Sequence, residues 1–124
     1  MTERSTPVAG PEELTEMAIE GRTGDLAAEL NAGASADTVD RRQSSLLMHA
    51  SAHGNLSTVE LLLQHGASVH YVDPQRGRTA LGAALYRGQA TIVERLLRAG
   101  ADPQAGQPSA RDLAVQWKKA DLLP

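Results

Sequence analysis

The sequence predicts an all-α solenoid of about four helix–turn–helix repeats with projecting loop tips. Two glycine series that share one period are the basis for this prediction. Gly-Ala pairs begin at Gly33, Gly66 and Gly100, and single glycines stand at Gly21, Gly54 and Gly88. The spacing within each series is 33 or 34 residues, and each single glycine precedes its Gly-Ala pair by 12 residues. A fixed period of this length is typical of proteins built from stacked repeats.

The interval between the two glycines of a repeat predicts a short amphipathic outer helix. The aligned intervals place Leu26, Val59 and Val93 at one position and Leu30, Leu63 and Leu97 four residues later. Residues four apart share a helix face. The glycine of each Gly-Ala pair then follows the helix, where a left-handed C-cap favours a residue without Cβ. We therefore expect Leu63→Ala to cost about 2–5 kcal/mol of the free energy of unfolding.

A second, inner helix is predicted before each single glycine. Residues 79–87 read Thr-Ala-Leu-Gly-Ala-Ala-Leu-Tyr-Arg, and residues 45–53 read Ser-Leu-Leu-Met-His-Ala-Ser-Ala-His. Thr79 and Ser45 stand where a side-chain hydroxyl caps a helix N-terminus. About a dozen turn-prone residues connect each Gly-Ala pair to the next cap, which predicts loops that project from one edge of the stack.

This order of helix, glycine turn, helix, Gly-Ala pair and projecting turn resembles the ankyrin repeat. The family's Thr-Pro-Leu-His-x-Ala start is matched at Thr79, Leu81 and Ala84, and its Leu-Leu-x-x-Gly-Ala end by residues 62–67 and 96–101. The resemblance covers about residues 12–123. The chain is also similar to short stand-alone bacterial members of the family, whose final truncated repeat begins with Pro-Ser-Ala, as residues 108–110 do here. It implies a repeat domain over residues 11–124. The implied repeats are 11–43, 44–77, 78–108 and a truncated C-terminal cap, 109–124.

Both ends of the chain depart from the repeat pattern. Glu29 replaces the leucine found at Leu62 and Leu96. A terminal repeat has no neighbour on one side, so we expect Glu29 to lie on an outer face that meets water. Residues 1–10 lie outside the pattern, and we expect them to form a mobile N-terminal tail.

Composition excludes several classes of function. The formal net charge of −3 argues against non-specific nucleic-acid binding, which needs a basic surface. The chain has no cysteine, which excludes disulfides and thiolate zinc sites. We find no signal-peptide pattern and no apolar run of about 18 residues, so we expect a cytoplasmic protein with no membrane partner. The ten arginines against two lysines favour a bacterial origin with a GC-rich genome.

The resemblance implies that a protein partner binds the concave face and the loop tips. Tyr, Trp and Arg are the residue types enriched in interface hot spots, and arginines in the middle of the chain favour a partner with an acidic segment. An ordinary solvated surface, with Trp117 packed in the C-terminal cap, is the alternative. The residues expected at the partner surface are Arg41, Arg42, Ser44, His53, Gln75, Arg76, Arg78, Tyr86, Arg87 and Trp117.

No residues in the sequence are arranged for catalysis or for a cofactor. His49 and His53 have metal-ligand spacing on one helix, but we expect only His53 to face the concave surface, and no third ligand is placed. We therefore predict no enzyme activity, no metal and no cofactor. The predicted function is that of a monomeric protein-binding adaptor. Two alternatives are an accessory factor for a haem or other cofactor-dependent enzyme, of the catalase-helper kind, and a self-associating structural unit.

Overall fold

The computed structural model describes residues 8–124, and over these residues the predicted all-α class is confirmed. Apart from one isolated bridge between Val39 and Ser45, the described residues form no β-structure. The helices are α1 (Pro11–Glu20), α2 (Thr23–Asn31), α3 (Leu46–Ala52), α4 (Leu56–Gln64), α5 (Ala80–Tyr86), α6 (Ala90–Arg98) and α7 (Ala110–Gln116), followed by a short 3₁₀ helix over Ala120–Leu122.

Side-chain hydroxyls begin three of the inner helices. The hydroxyl oxygens of Ser45, Thr79 and Ser109 accept hydrogen bonds from the backbone N–H groups of Met48, Gly82 and Asp112 respectively. Each bond satisfies a donor that the first helical turn leaves unpaired. The caps at Ser45 and Thr79 are those that the sequence predicts.

The helices pack in two layers. The inner helices α1, α3, α5 and α7 contact one another in chain order, and the outer helices α2, α4 and α6 pack behind them. The leucines and valines of the outer helices that are 0% exposed recur with the glycine period: Leu26, Val59, Val93, Leu62 and Leu96. The core therefore lies between the layers and between neighbouring repeats.

Polar contacts also join one repeat to the next. Asn55 donates hydrogen bonds from Nδ2 to the carbonyl oxygens of Ala18 and Ile19 at 2.8 and 3.0 Å. Gly21 permits this approach, because a Cβ at that position would come within 3.1 Å of the Asn55 side chain. Gly21 also has φ of 71°, in the left-handed region that favours glycine. The turn glycine thus serves both the backbone turn and the contact between repeats.

The expectation that Glu29 meets water is wrong. Its side chain is buried, with a residue exposure of 3%, and Oε1 accepts the backbone N–H groups of Val8 and Ala9 at 2.9 Å each. Burial of a carboxylate costs free energy because the group loses its contacts with water, and these hydrogen bonds offset that cost. Residues 8 and 9 therefore cover Glu29 and Gly10 is the N-cap of α1, whereas residues 1–7 of the expected mobile tail lie outside the described residues.

The C-terminal end of the stack is closed by the 3₁₀ helix. It contacts α6 and α7, and Leu123 directly after it is buried. The predicted repeat boundaries at 43/44, 77/78 and 108/109 each fall between an outer helix and the next inner helix. The division into repeats itself stays a prediction.

The structure indicates that truncation of Leu62, rather than of its neighbour Leu63, should cost the expected free energy of unfolding. Leu62 is fully buried, whereas Leu63 is only partly buried against the core. Leu62→Ala should therefore lower the free energy of unfolding by about 2–5 kcal/mol, and Leu63→Ala by less. Urea denaturation followed by circular dichroism measures both values. An equal or larger loss at Leu63 would contradict this helix register.

Candidate functional site

An open groove of about 490 Å³ lies along the inner helices, beneath the projecting loops. Its volume falls within the roughly 300–1,000 Å³ typical of ligand sites. We call it the groove, and it is lined by Ser44, Met48, His49, Ala52, Arg76, Arg78, Gly82, Ala83, Tyr86 and Trp117.

The first loop, residues 32–45, is held by the carboxylate of Asp40. Oδ1 accepts the backbone N–H groups of Arg42 and Ser44 at 2.9 and 3.0 Å, and Oδ2 accepts the Nε2–H of His49 at 2.7 Å. Burial alone would raise the pKa of Asp40, but these hydrogen bonds outweigh it and hold that pKa below its ordinary value. The charged carboxylate therefore fastens the loop to α3.

The second loop, residues 65–79, is organised in the same way around Asp73. This residue is fully buried, and its Oδ1 accepts the backbone N–H of Gln75 at 2.7 Å. Its Oδ2 lies 3.3 Å from Nε of Arg76, and Nη2 of Arg76 donates to Oγ of Ser44 at 3.1 Å. Arg76 therefore joins the two loops at the rim of the groove.

Two further contacts make the loops one continuous wall. Tyr71 donates its hydroxyl to the carbonyl of Gln43 at 2.7 Å, and burial together with the carboxylates of Asp73 and Asp40 raises the pKa of Tyr71. On the other side, the third loop covers residues 99–109, and its Gln107 donates the backbone N–H to the carbonyl of Gly77 at 3.0 Å. A bound segment would therefore meet a wall whose loops are already ordered.

The far end of the groove is aromatic. The rings of Tyr86 and Trp117 meet edge to face, with centroids 4.9 Å apart and an interplanar angle of 67°. The guanidinium carbon of Arg78 lies over the Trp117 ring, 5.6 Å from its centroid. Tyr86 stays 60% exposed, so much of its ring faces solvent. Two of the chain's three aromatic residues thus occupy this end of the groove.

Small side chains give the groove its depth. Ala52 lines it from α3, and Gly82 and Ala83 line it from α5. A Cβ built on Gly82 would meet nothing closer than Oγ1 of Thr79 at 3.5 Å. The packing of the fold therefore does not require glycine at this position.

The structure brings five of the ten expected surface residues together in the groove: Ser44, Arg76, Arg78, Tyr86 and Trp117. The other five are exposed and lie outside its lining. They are Arg41, Arg42 and Gln75 at the loop tips, and His53 and Arg87 just after α3 and α5. The side chain of Arg41 is 89% exposed and lies 3.9 Å from a carboxylate oxygen of Glu12.

The groove is lined by His49 of α3 and not by His53, which directly follows this helix and was the histidine expected at the concave surface. His49 lines the groove and binds Asp40, whereas the Nδ1–H of His53 donates to the carbonyl of His49 at 2.9 Å and remains at the helix end. Sequence reasoning placed Tyr86 at the concave surface but missed lining residues that stand about one helical turn before Tyr86 and before Ala52. The missed residues are Met48, His49, Gly82 and Ala83.

Among residues 8–124, the structure contains no cluster of three side chains able to hold a metal ion. Within the same part of the chain, no helix has the length and apolar character needed to cross a bilayer.

Residues 14–107 match the family model described as ankyrin repeats, in three copies. The chain belongs to the ankyrin-repeat family. Ankyrin repeats are protein–protein interaction modules, so the family gives this chain a general mode of action without naming a partner.

Relatives of this ankyrin-repeat chain are much longer proteins. It is 42% identical over 74 residues to the B-cell lymphoma 3 protein homolog of Mus musculus, covering 59% of this chain and 16% of that protein. It is 36% identical over 87 residues to the probable E3 ubiquitin-protein ligase XBOS31 of Oryza sativa subsp. japonica, covering 70% and 20% respectively. It is 44% identical over 62 residues to ankyrin repeat domain-containing protein 63 of Homo sapiens, covering 50% of this chain and 16% of that protein. The chain thus spans a fifth or less of these relatives.

The Asp40 contacts predict a pH-dependent stability. The pKa of Asp40 is lowered in the fold, so its contribution is complete above the unfolded value of about 4 and is lost as pH falls through the lower folded value. Asp40→Asn should lower the free energy of unfolding at neutral pH, and its difference from wild type should shrink below about pH 4. Urea denaturation across this range, with exposed Asp121→Asn as control, measures the effect. A difference independent of pH would contradict it.

Gly82→Ala should stabilise the fold and make the groove shallower. Gly82 is helical and has room for a Cβ, so alanine should raise the free energy of unfolding by roughly 0.5–1 kcal/mol. Thermal and urea denaturation test this sign. A destabilised variant would show that the space above Gly82 is smaller than the structure indicates.

Proposed function

We propose that this chain is a monomeric protein-binding adaptor that holds a segment of a cytoplasmic partner in the groove and against the loop tips. The observation that carries the proposal is the meeting of Tyr86 and Trp117 with Arg78 above a floor of small apolar side chains. These aromatic and arginine residue types dominate the binding energy of protein interfaces.

The ordered loops support this function. Asp40 and Asp73 each hold a loop through backbone N–H groups, and Arg76 joins both loops through Ser44. Binding costs free energy when loops and side chains must be ordered, so a wall that is ordered beforehand lowers that cost.

The charges around the groove support a partner with an acidic segment. Arg42 and Arg87 are exposed, and Arg41 is exposed as well but lies 3.9 Å from a carboxylate oxygen of Glu12. At the N-terminal end of the stack, α1 instead exposes Glu12, Glu13, Glu16 and Glu20. Such a separation attracts an acidic partner toward the middle of the stack and repels it from α1, which raises the rate of encounter and orients it.

The sharpest test adds one charge inside the groove and the same charge outside it. Arg76→Glu is unsuitable for this test, because Arg76 is paired with buried Asp73 and its reversal would disturb the second loop. Ala83→Glu instead fills the groove from a helix. Gln64→Glu adds the same charge at an exposed position on outer helix α4.

We expect tagged wild-type chain to capture a near-stoichiometric protein from a lysate of its source cells, measured by quantitative mass spectrometry. Gln64→Glu should capture the same protein, whereas Ala83→Glu and Tyr86→Ala should recover at least tenfold less. Equal recovery by all variants, or no stoichiometric protein in repeated captures, would count against the adaptor function. Light scattering of the purified chain checks that it is a monomer.

A further inference from the structure

We propose that Arg78 and Trp117 form a subsite for one carboxylate, namely an Asp or Glu side chain that stands beside an apolar residue in a short extended segment of the partner. This inference rests on the proposed function and deepens it, because it states which chemistry the groove selects.

The groove holds three basic side chains, and two of them already have carboxylate partners. Arg76 Nε lies 3.3 Å from Asp73, and His49 Nε2 lies 2.7 Å from Asp40. Arg78 differs from both, because no Asp or Glu among residues 8–124 forms an ion pair with it. The guanidinium of Arg78 instead lies over the ring of Trp117. Arg78 therefore brings a positive charge to the groove that no described carboxylate neutralises.

The hydrogen-bonding capacity of Arg78 is also unused. Its Nη1 is buried and has no hydrogen-bond partner among the described residues. A donor left unpaired in a buried position costs free energy, and a charged donor costs more than a neutral one. The planar fork of a guanidinium matches a carboxylate, which can accept two parallel N–H bonds. A small adjustment of Arg78 toward a bound carboxylate would pair these donors.

The surroundings of Arg78 specify the neighbour of that carboxylate. Met48, Ala52 and Ala83 form an apolar floor beside Tyr86. An apolar side chain placed there would exclude water, and exclusion of water strengthens the interaction between Arg78 and a carboxylate. A groove of about 490 Å³ holds a few side chains rather than a folded domain. The complementary ligand is therefore a short segment with an acidic residue beside an apolar one.

Trp117 makes this inference measurable, because it is the only tryptophan in the chain and it lines the groove. Its fluorescence should change when the groove is filled. The probe is a set of dodecapeptides selected from a random phage-displayed library on the wild-type chain. Each selected peptide is then synthesised with its acidic residues intact and with Asp→Asn or Glu→Gln replacements.

We expect the selected peptides to share an acidic residue beside an apolar residue. Replacing that acid by its amide should weaken binding to the wild-type chain at least tenfold. The affinity of the acidic peptide for Arg78→Gln should be lower by the same factor. The acid and amide forms should bind this variant equally, as a double-mutant cycle shows for two groups that interact directly. Arg78→Lys keeps the charge without the planar fork and should bind with intermediate affinity.

Arg98→Gln is the matched control, because Arg98 is an exposed arginine of outer helix α6. It should leave every affinity unchanged, and circular dichroism checks that each variant is folded.

The outcomes separate this inference from the proposed function. Peptides that lose binding in Ala83→Glu but not in Arg78→Gln would overturn the carboxylate subsite and leave the groove as the binding site. Peptides insensitive to both changes would overturn both proposals. A selection that yields no groove-dependent peptide overturns the inference of a short segment, and the capture experiment then decides the adaptor function by itself.

Discussion

The structure depends on burial between neighbouring repeats. A pair of short helices cannot cover its own apolar side, so each pair covers the next, and the buried positions recur from repeat to repeat, as at Val59 and Val93. Contacts such as those from Asn55 to the carbonyls of the preceding inner helix keep the pairs in register. Because the register is fixed, every loop projects from the same edge. The loops and inner helices can then form one groove.

The position of the groove follows from the chemistry of two loops. Asp40 and Asp73 are one period apart and have the same role, since each accepts backbone N–H groups of its own loop and then a basic side chain of the groove. In the third loop, Asp102 directly follows the Gly-Ala pair, as Ser35 and Ser68 do in the first two loops; it is exposed, and among the described residues its side chain accepts only the N–H of Gln104. This loop lies against Gly77, so close that a Cβ there would come within 2.7 Å of the carbonyl oxygen of Gln107. The first two loops therefore form the wall, and the third loop supports it.

The sequence predicted the features that follow from a repeated pattern, but it did not predict the position of a side chain that depends on a single contact. The glycine series predicted the helix pairs, since a left-handed turn strongly favours glycine. Half of the expected surface residues reached the groove, but Met48, His49, Gly82 and Ala83 were missed. The signal for these residues in the sequence was weak. Helix periodicity indicates that they share a helix face with Ala52 and Tyr86, but it does not indicate that this face lines a groove. Glu29 was misjudged because its partners, the N–H groups of residues 8 and 9, belong to a segment outside the repeats.

The sequence by itself determined the family, the all-α class and the helix caps at Ser45 and Thr79. Periodic glycines and buried leucines are local requirements repeated along the chain, and such requirements can be read without coordinates. Only the tertiary structure decided that Trp117 meets Tyr86 and Arg78, and that His49 rather than His53 enters the groove. These outcomes depend on the angle between neighbouring helices and on loop contacts between residues far apart in sequence, which no local pattern encodes.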